Sequence, residues 1–528
     1  MFKLKFLTVT VSTFMLAACG QMPSQQMRMG EVTALSMPAP ALKTTAYEHA
    51  QLLAENTENY QKIETNPVHS VAQQPISTFS IDVDTGSYSN VRRFLVQNGQ
   101  LPPVDAVRIE EMVNYFNYDY PNPTAKSQHP FSVNTETVDS PWQPNAKIIR
   151  IGIKAKDLQA QQLPPANLVF LIDVSGSMDA ENKLPLVKKT LRLLTEQLRP
   201  QDQVTIITYA SGEDLVLAPT SGAEKDKILK VINRLNAGGA TSGERAIQLA
   251  YEQAEKSYIK AGINRILIAT DGDFNVGVTD FNTLKGMIAE KRKSGISFTT
   301  LGFGSGNYDE QLMEQLADAG DGNYSYIDNE REAKKVLQRQ LSSTLATVAQ
   351  DVKIQVEFNP ATVKEYRLIG YENRLLKNED FNNDQVDAGD IGAGHTVTAL
   401  YEIIPVGQKG WLNSSRYQAT STATLKHEYA DVNLRYKLPN QTQSILLNSP
   451  VQVETKPLAQ ASADTRFAIA VAAYGQQLRG GQYNANMQWD DILRLAKSAE
   501  KPDTFGLREE FIDLLKIAKS LSSEQKKS

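Results

Sequence analysis

The sequence predicts an α/β protein with a central, doubly wound and mostly parallel sheet, flanked by a small N-terminal α+β domain and a C-terminal β-then-helical domain. Leu168–Ile172 is a near-continuous apolar run, which is typical of a strand buried on both faces. The helix predicted after it repeats leucine and valine at spacings of three and four residues. Apolar runs and amphipathic helices then alternate as far as Leu345, which favours a sheet with helices on both faces.

Changes in residue pattern divide the 528 residues into five predicted segments. The stretch after Cys19 mixes Gln, Met, Pro, Ala and Ser with little apolar periodicity, which is typical of a tether. Beyond about residue 350, β-branched and aromatic residues alternate, as in the predicted strand Tyr417–Leu425, before helical stripes return. The segments are a signal peptide (1–18), a lipidated N-terminus with a flexible tether (19–75), an N-terminal accessory domain (76–150), the α/β domain (166–348) and a C-terminal β-plus-helical domain (349–528).

The N-terminal accessory domain is predicted from short alternating and amphipathic stretches. A strand begins at Ile76, and helices follow over Ser89–Asn98 and near Arg108–Phe116. Asp82 and Asp84 stand at the end of the strand and offer carboxylates that could bind a metal. The Thr-Gly pair that follows them fits a strand-end turn better, so we predict a turn there.

The N-terminus has the pattern of a secreted and lipid-modified protein. Lys3 and Lys5 precede an apolar run, Phe6–Ala18, of about 13 residues. That run is short of the roughly 20 residues that span a bilayer as a helix. Leu-Ala-Ala then precedes Cys19, the single cysteine of the chain, and the whole resembles a bacterial lipobox. An ordinary signal peptide with a coincidental cysteine is the alternative.

The lipobox resemblance implies a place in the cell. Cys19 would carry acyl chains such as palmitate, and more than one chain gives stable membrane anchoring. Gln21 stands where an Asp commonly retains such lipoproteins in the inner membrane. We therefore expect a lipid-anchored protein of the cell envelope, at the outer membrane and facing the periplasm if the cell has two membranes.

Composition and motifs argue against nucleic-acid binding and against an enzyme. The net charge is −5 and no basic stripe occurs, so no nucleic-acid partner is expected. With Cys19 assigned to lipid, the mature chain has no cysteine pair for a disulfide. The five histidines show no metal-ligand spacing, and no Gly-x-Ser-x-Gly elbow is present. We predict that the protein is not an enzyme.

Three short segments supply the candidate functional residues. Asp173, Ser175 and Ser177 follow the first apolar run, Thr241 follows two glycines, and Asp271 ends another predicted strand. Such positions converge beyond the carboxyl ends of parallel strands. Two carboxylates and three hydroxyls form an all-oxygen set that suits a hard divalent cation. Helix capping and strand-end turns are the alternative explanation for these residues.

Together these segments resemble the metal-ion-dependent adhesion site of von Willebrand factor type A (VWA) domains, which have a Rossmann-like fold. All five positions of that pattern are filled. The resemblance implies that Ser175, Ser177 and Thr241 ligate Mg²⁺ or Mn²⁺ directly, with Asp173 and Asp271 acting directly or through water. It also implies a protein partner whose Asp or Glu completes the coordination shell. The flanking segments resemble accessory domains of a family of bacterial lipoproteins that contain such a domain.

The function expected from the sequence is therefore binding. We expect a lipid-anchored cell-envelope protein that captures a carboxylate of a protein partner through a Mg²⁺-dependent adhesion site. One alternative is a structural envelope scaffold with a stabilising metal. Another is a metal-dependent hydrolase, although the predicted site offers no evident general base beyond its own ligands.

Overall fold

The computed structural model describes residues 58–124, 126–158, 163–240, 244–272, 281–413, 426–439, 441–484, 486–503 and 505–525. These residues belong to one compact unit, Asn56–Ser528. Several features predicted from the sequence lie outside the described residues. They are the signal peptide, Cys19, the tether up to residue 57, Thr241 and the strand Tyr417–Leu425.

The secondary structure alternates in the middle of the chain and is segregated at its ends. The strands are β1 His69–Ser70, β2 Ile76–Ser80, β3 Phe131–Asp139, β4 Lys147–Ala155, β5 Ala166–Asp173, β6 Gln203–Tyr209, β7 Glu213–Ser221, β8 Ile263–Thr270, β9 Ser297–Phe303, β10 Tyr324–Ile327, β11 Thr347–Phe358, β12 Val363–Ile369, β13 Ile391–Gly392, β14 Thr396–Pro405, β15 Glu428–Lys437 and β16 Ile445–Gln452. The helices are α1 Gly86–Val96, α2 Ile109–Asn114, α3 Leu184–Gln197, α4 Lys225–Arg234, α5 Glu244–Lys256, α6 Phe281–Lys291, α7 Glu310–Ala319, α8 Glu330–Leu345, α9 Ala463–Leu478, α10 Trp489–Ser498 and α11 Leu507–Gln525. Within the described ranges, none of these helices has the length and apolar character needed to cross a membrane.

The central sheet has the predicted doubly wound order. Among the described residues, six strands form it in the order β10-β9-β8-β5-β6-β7. β5 lies between β8 and β6 and is parallel to both, whereas the edge strand β7 is antiparallel to β6. Every residue of β5 is buried. Helices α3, α4 and α8 cover one face of the sheet, and α5, α6 and α7 cover the other. From β5 the chain continues to β6 on one side, whereas β8, β9 and β10 are added on the other side. At such a reversal of strand order a crevice opens beyond the carboxyl ends of the strands, here β5 and β8.

The segments on either side of the central sheet share two further sheets. β4 pairs with β3 and also with β14, some 250 residues later, as in the register Ile151↔Ala399. β2 pairs with β11 in the second sheet. The sequence predicted an N-terminal domain (76–150) separate from a C-terminal one (349–528), whereas in the structure their strands complete each other's sheets. Local periodicity identifies a strand but not its distant partner, which explains the difference.

Helices from both ends of the chain cover these sheets with one common core. Phe116, which follows α2, lies edge-to-face with Phe467 of α9 at a ring-centroid distance of 4.8 Å. Phe467 in turn contacts Phe511 of α11 at 5.4 Å. Aromatic pairs in this geometry add to the free energy gained by burying the rings. The core therefore joins the N-terminal and C-terminal segments in addition to the paired strands.

The predicted tether ends earlier than expected, because residues 58–75 lie against the folded body. His69–Ser70 pairs with β12. The side-chain amide of Asn66, which is 4% exposed, donates to the carbonyls of Leu368 and Gly370 at 3.2 and 2.7 Å. Nearer the tether, Glu58 accepts a hydrogen bond from the Gly306 N–H at 2.8 Å. All these partners lie far away in sequence, so the composition of the segment gives no sign of them.

Candidate metal site

Asp173 is the last residue of β5, and its carboxylate is fully buried at the crevice. Oδ1 accepts the Ser175 N–H at 2.9 Å, and Oδ2 accepts the hydroxyls of Thr270 at 2.8 Å and Tyr209 at 3.4 Å. Every described donor to this carboxylate is neutral. Burial, reinforced by the charge of Asp271, raises the pKa of Asp173 despite the hydrogen bonds from Ser175 and Thr270. A buried carboxylate in such surroundings is stabilised by a nearby cation.

Two serine hydroxyls stand beside this carboxylate on the loop after β5. Ser175 is buried and Ser177 is exposed, and their Oγ atoms are 3.0 Å apart. The loop continues as a short 3-10 helix, Gly176–Asp179, whose Met178 side chain is fully buried and anchors it. The two hydroxyls therefore lie between the buried Asp173 carboxylate and solvent.

A second loop is fastened to the first by backbone hydrogen bonds. The Gly176 N–H donates to the Gly239 carbonyl at 3.0 Å, and the Gly238 N–H donates to the Val174 carbonyl at 2.7 Å. Gly239 has a φ of +88°, a conformation that glycine adopts readily. Thr241 comes two residues later and lies outside the described residues. Its role as a ligand remains a prediction, and the loop that carries it adjoins the serine loop.

Asp271 follows β8 and is also fully buried, but its surroundings differ from those of Asp173. Oδ2 accepts the Lys183 ammonium at 2.8 Å and the side-chain amide of Asn307 at 3.1 Å. Burial acts to raise the pKa of Asp271, but the charge of Lys183 and hydrogen bonds from Lys183, Ser177 and Asn307 outweigh it and lower the pKa. The Asp271 carboxylate is therefore ionised at neutral pH.

The structure thus brings together Asp173, Ser175, Ser177 and Asp271, and adds residues that sequence reasoning missed. Those residues are Tyr209, Thr270, Lys183 and Asn307, which contact one or other carboxylate. Tyr209, Thr270 and Asn307 lie at or beyond the carboxyl ends of parallel strands, so the convergence of strand ends could have indicated them. Nothing in the local sequence marks Lys183.

The donor set fits a hard divalent cation. It consists of oxygen atoms from two buried carboxylates and two hydroxyls, with Thr241 as the predicted fifth ligand. Oxygen ligands of this kind suit Mg²⁺ or Mn²⁺. In the part of the chain that the structure describes, no group of three or more His, Cys, Asp or Glu residues could hold a metal ion. Binding here would therefore depend on the hydroxyls as well as on the carboxylates.

Three family models match successive parts of the chain. The von Willebrand factor type A domain matches residues 167–340, and a model described as von Willebrand factor matches residues 54–150. A model described as "Uncharacterized protein YfbK, C-terminal" matches residues 343–521. VWA domains typically mediate protein–protein interactions and commonly bind a divalent metal at a metal-ion-dependent adhesion site.

Individual proteins extend this similarity. "Uncharacterized protein YfbK" of Escherichia coli strain K12 is 46% identical over 490 residues, which cover 91% of this chain and 84% of that protein. "Uncharacterized protein sll0103" of Synechocystis sp. PCC 6803 is 24% identical over 333 residues, which cover 61% of this chain and 75% of that protein. The solved structure of a von Willebrand factor type A protein from Catenulispora acidiphila is 15% identical, with a TM-score of 0.41, and covers 74% of this chain and 90% of its own.

Thr270 positions the buried Asp173 carboxylate, so we expect Thr270→Val to lower the free energy of unfolding by about 1–3 kcal/mol. The substitution keeps the shape of the side chain but removes its bond to Asp173 and the bond it accepts from the Gly272 N–H. Thr205→Val is the matched control, because the Thr205 hydroxyl on β6 is buried without a hydrogen-bond partner among the described residues. Chemical denaturation should show a loss for Thr270→Val alone. Equal stability of the two variants would contradict the positioning role.

Proposed function

Because the chain belongs to the family of the Escherichia coli protein YfbK and contains a VWA domain, we propose that it is a lipid-anchored cell-envelope protein that binds a protein partner through a divalent metal. The metal is Mg²⁺ or Mn²⁺, held by Asp173, Ser175, Ser177, Thr241 and Asp271. The partner supplies an Asp or Glu carboxylate as a further ligand. In this proposal the protein has no catalytic role.

The observation that carries the proposal is the setting of Asp173. Its carboxylate is fully buried among neutral donors, yet the neighbouring hydroxyl of Ser177 is exposed to solvent. A cation bound there would be close to a buried negative charge and still be reachable from outside. An under-coordinated Mg²⁺ that is open to solvent readily accepts an anionic oxygen ligand. This arrangement supports capture of a carboxylate rather than a closed structural ion.

The lipid anchor is the second part of the proposal. Leu-Ala-Ala-Cys at residues 16–19 supports acylation of Cys19, which would hold the chain at the membrane. Gln21 supports the outer membrane, with the protein facing the periplasm, in a cell with two membranes. Anchored in this way, the protein would meet its partner in the cell envelope.

We expect Asp173→Ala to abolish most of the metal affinity, since it removes one of the two carboxylates of the site. In the wild type, Mg²⁺ at a hundredfold excess over its dissociation constant should stabilise the fold by about 2.7 kcal/mol. Isothermal titration calorimetry and thermal denaturation with and without Mg²⁺ would measure both effects. Asp214→Ala, which removes an exposed carboxylate from the edge strand β7, is the matched control. If Asp173→Ala binds Mg²⁺ as tightly as the control does, the site is misassigned.

We expect partner capture from cell-envelope extract to depend on the metal. Immobilised wild-type protein should retain specific proteins in Mg²⁺, lose them with chelator and recover them when Mg²⁺ is restored. Thr241→Ala should weaken capture more than it weakens metal binding, because a lone hydroxyl contributes little charge to the ion. Quantitative mass spectrometry of the retained proteins is the measurement. Equal retention in Mg²⁺, in chelator and by Thr241→Ala would leave a structural metal in an envelope scaffold as the better explanation.

We expect Cys19→Ala to block lipid labelling and release the protein from the membrane fraction, because no other cysteine can take its place. Metabolic labelling with a fatty-acid analogue, followed by fractionation, tests this. Cys19→Ser is a second variant with a side chain closer in size to cysteine. Labelling or anchorage that persists in both variants would show that the lipidation site is elsewhere.

A further inference from the structure

The buried ammonium group of Lys183 contacts Asp271, one of the two carboxylates of the candidate site. The residue is only 7% exposed. Its ammonium donates to Asp271 Oδ2 at 2.8 Å and to the side-chain oxygen of Asn307 at 3.0 Å. Asn307 also donates to the same Asp271 oxygen at 3.1 Å, so the three side chains form a closed ring of hydrogen bonds. Lysine is rarely buried unless it is paired, so its position here requires this carboxylate.

The fold makes room for this lysine. Lys183 immediately precedes α3, and its alkyl chain lies along Gly304 in the loop after β9. A Cβ on Gly304 would lie 2.4 Å from Lys183 Cε, and Gly304 has a φ of +80°, which disfavours other residues. The Tyr326 hydroxyl donates to the Gly304 carbonyl and fixes this loop. The loop after β9 thus forms a wall against which the alkyl chain of Lys183 packs.

The charges at the site give this lysine a consequence for binding. Asp173 and Asp271 together balance a divalent cation, so without Lys183 a metal-loaded site would be neutral. With Lys183 present, the loaded site carries one net positive charge. Electrostatic interactions are strong where the groups are buried and water is excluded. The positive charge of Lys183 repels the divalent cation, which lowers the affinity of the site for the metal, and it attracts an anion from solvent.

We propose that Lys183 is a specificity-determining residue that weakens binding of the divalent cation and strengthens binding of the partner's carboxylate by the loaded site. This inference rests on the proposed metal-dependent function. It deepens that function by explaining why the loaded site accepts an anionic ligand rather than water alone. Lys183 acts on the metal through Asp271 and through its charge, not as a ligand.

The test compares Lys183→Gln with the wild-type protein. Glutamine keeps an N–H donor for Asp271 and removes the charge. We expect Lys183→Gln to bind Mg²⁺ or Mn²⁺ alone at least about tenfold more tightly in calorimetry, because a nearby positive charge is gone. Lys189→Gln is the matched control, since Lys189 is an exposed residue of α3, the helix that Lys183 precedes, and its loss changes the net charge equally. The control should bind the metal as the wild type does.

A second measurement tests the effect on anions. Acetate is titrated into Mn²⁺-loaded protein. The relaxation rate of water protons is measured at each step, because it reports the number of water molecules that remain bound to Mn²⁺. Acetate should displace water from the wild type and from Lys189→Gln at a lower concentration than from Lys183→Gln. Thermal denaturation shows whether each variant is folded, and Lys183→Met provides a second neutral variant if the glutamine disturbs the fold.

The outcomes separate this inference from the proposed function. If the wild type binds the metal and both neutral variants bind it equally well, the role of Lys183 is overturned and the metal site stands. If neither the wild type nor the neutral variants bind the metal, the proposed function is overturned, and this inference with it. Metal binding by Lys183→Gln but not by the wild type would overturn the proposed function, because the wild-type protein would then have no loaded site to bind a carboxylate.

Discussion

The buried guanidinium of Arg108 joins the parts of this molecule that the candidate site depends on. Its nitrogen atoms lie 2.9 Å from Glu310 and 2.8 Å from Glu314 of α7, and 3.4 Å from Glu111 of α2. All four side chains are almost completely buried, so each charge depends on the others for its stability. α7 begins directly after the loop that carries Asn307. The ion pairs therefore hold that loop where its amide can meet Asp271.

Arg374 extends the same network to the end of β2. It lies 2.9 Å from Asp84 and 3.5 Å from Asp82, and it also pairs with Glu314. The sequence predicts a strand-end turn at Thr85-Gly86, whereas in the structure Thr85 caps α1 and Gly86 begins it, and the Asp84 N–H donates to Asp82 Oδ1. The role of the two aspartates as partners of an arginine 290 residues away is visible only in the structure. The N-terminal segment, the VWA domain and the C-terminal segment are thus joined through buried charges as well as through shared sheets.

The two carboxylates of the candidate site have opposite electrostatic settings, although both are fully buried. Asp173 is surrounded by neutral donors and its pKa is raised by burial, whereas Lys183 and neighbouring hydrogen bonds overcome burial at Asp271 and lower its pKa. Such a difference between neighbouring titratable groups is a frequent property of functional sites. Among the described residues, only neutral groups donate to Asp173, whereas the Lys183 ammonium donates to Asp271.

The sequence by itself determined the local elements. The buried strand β5 and the amphipathic helices of the central domain follow from residue periodicity, and the strand-end rule brought Asp173 and Asp271 to one crevice. It missed β16, where Pro450 argues against a strand but is tolerated at the edge of a sheet. Only the tertiary structure decided which strands pair in the two flanking sheets, where residues 58–75 lie and which cation meets Asp271. Periodicity reports the surroundings of a segment, whereas strand pairing and buried ion pairs join residues that are far apart in sequence.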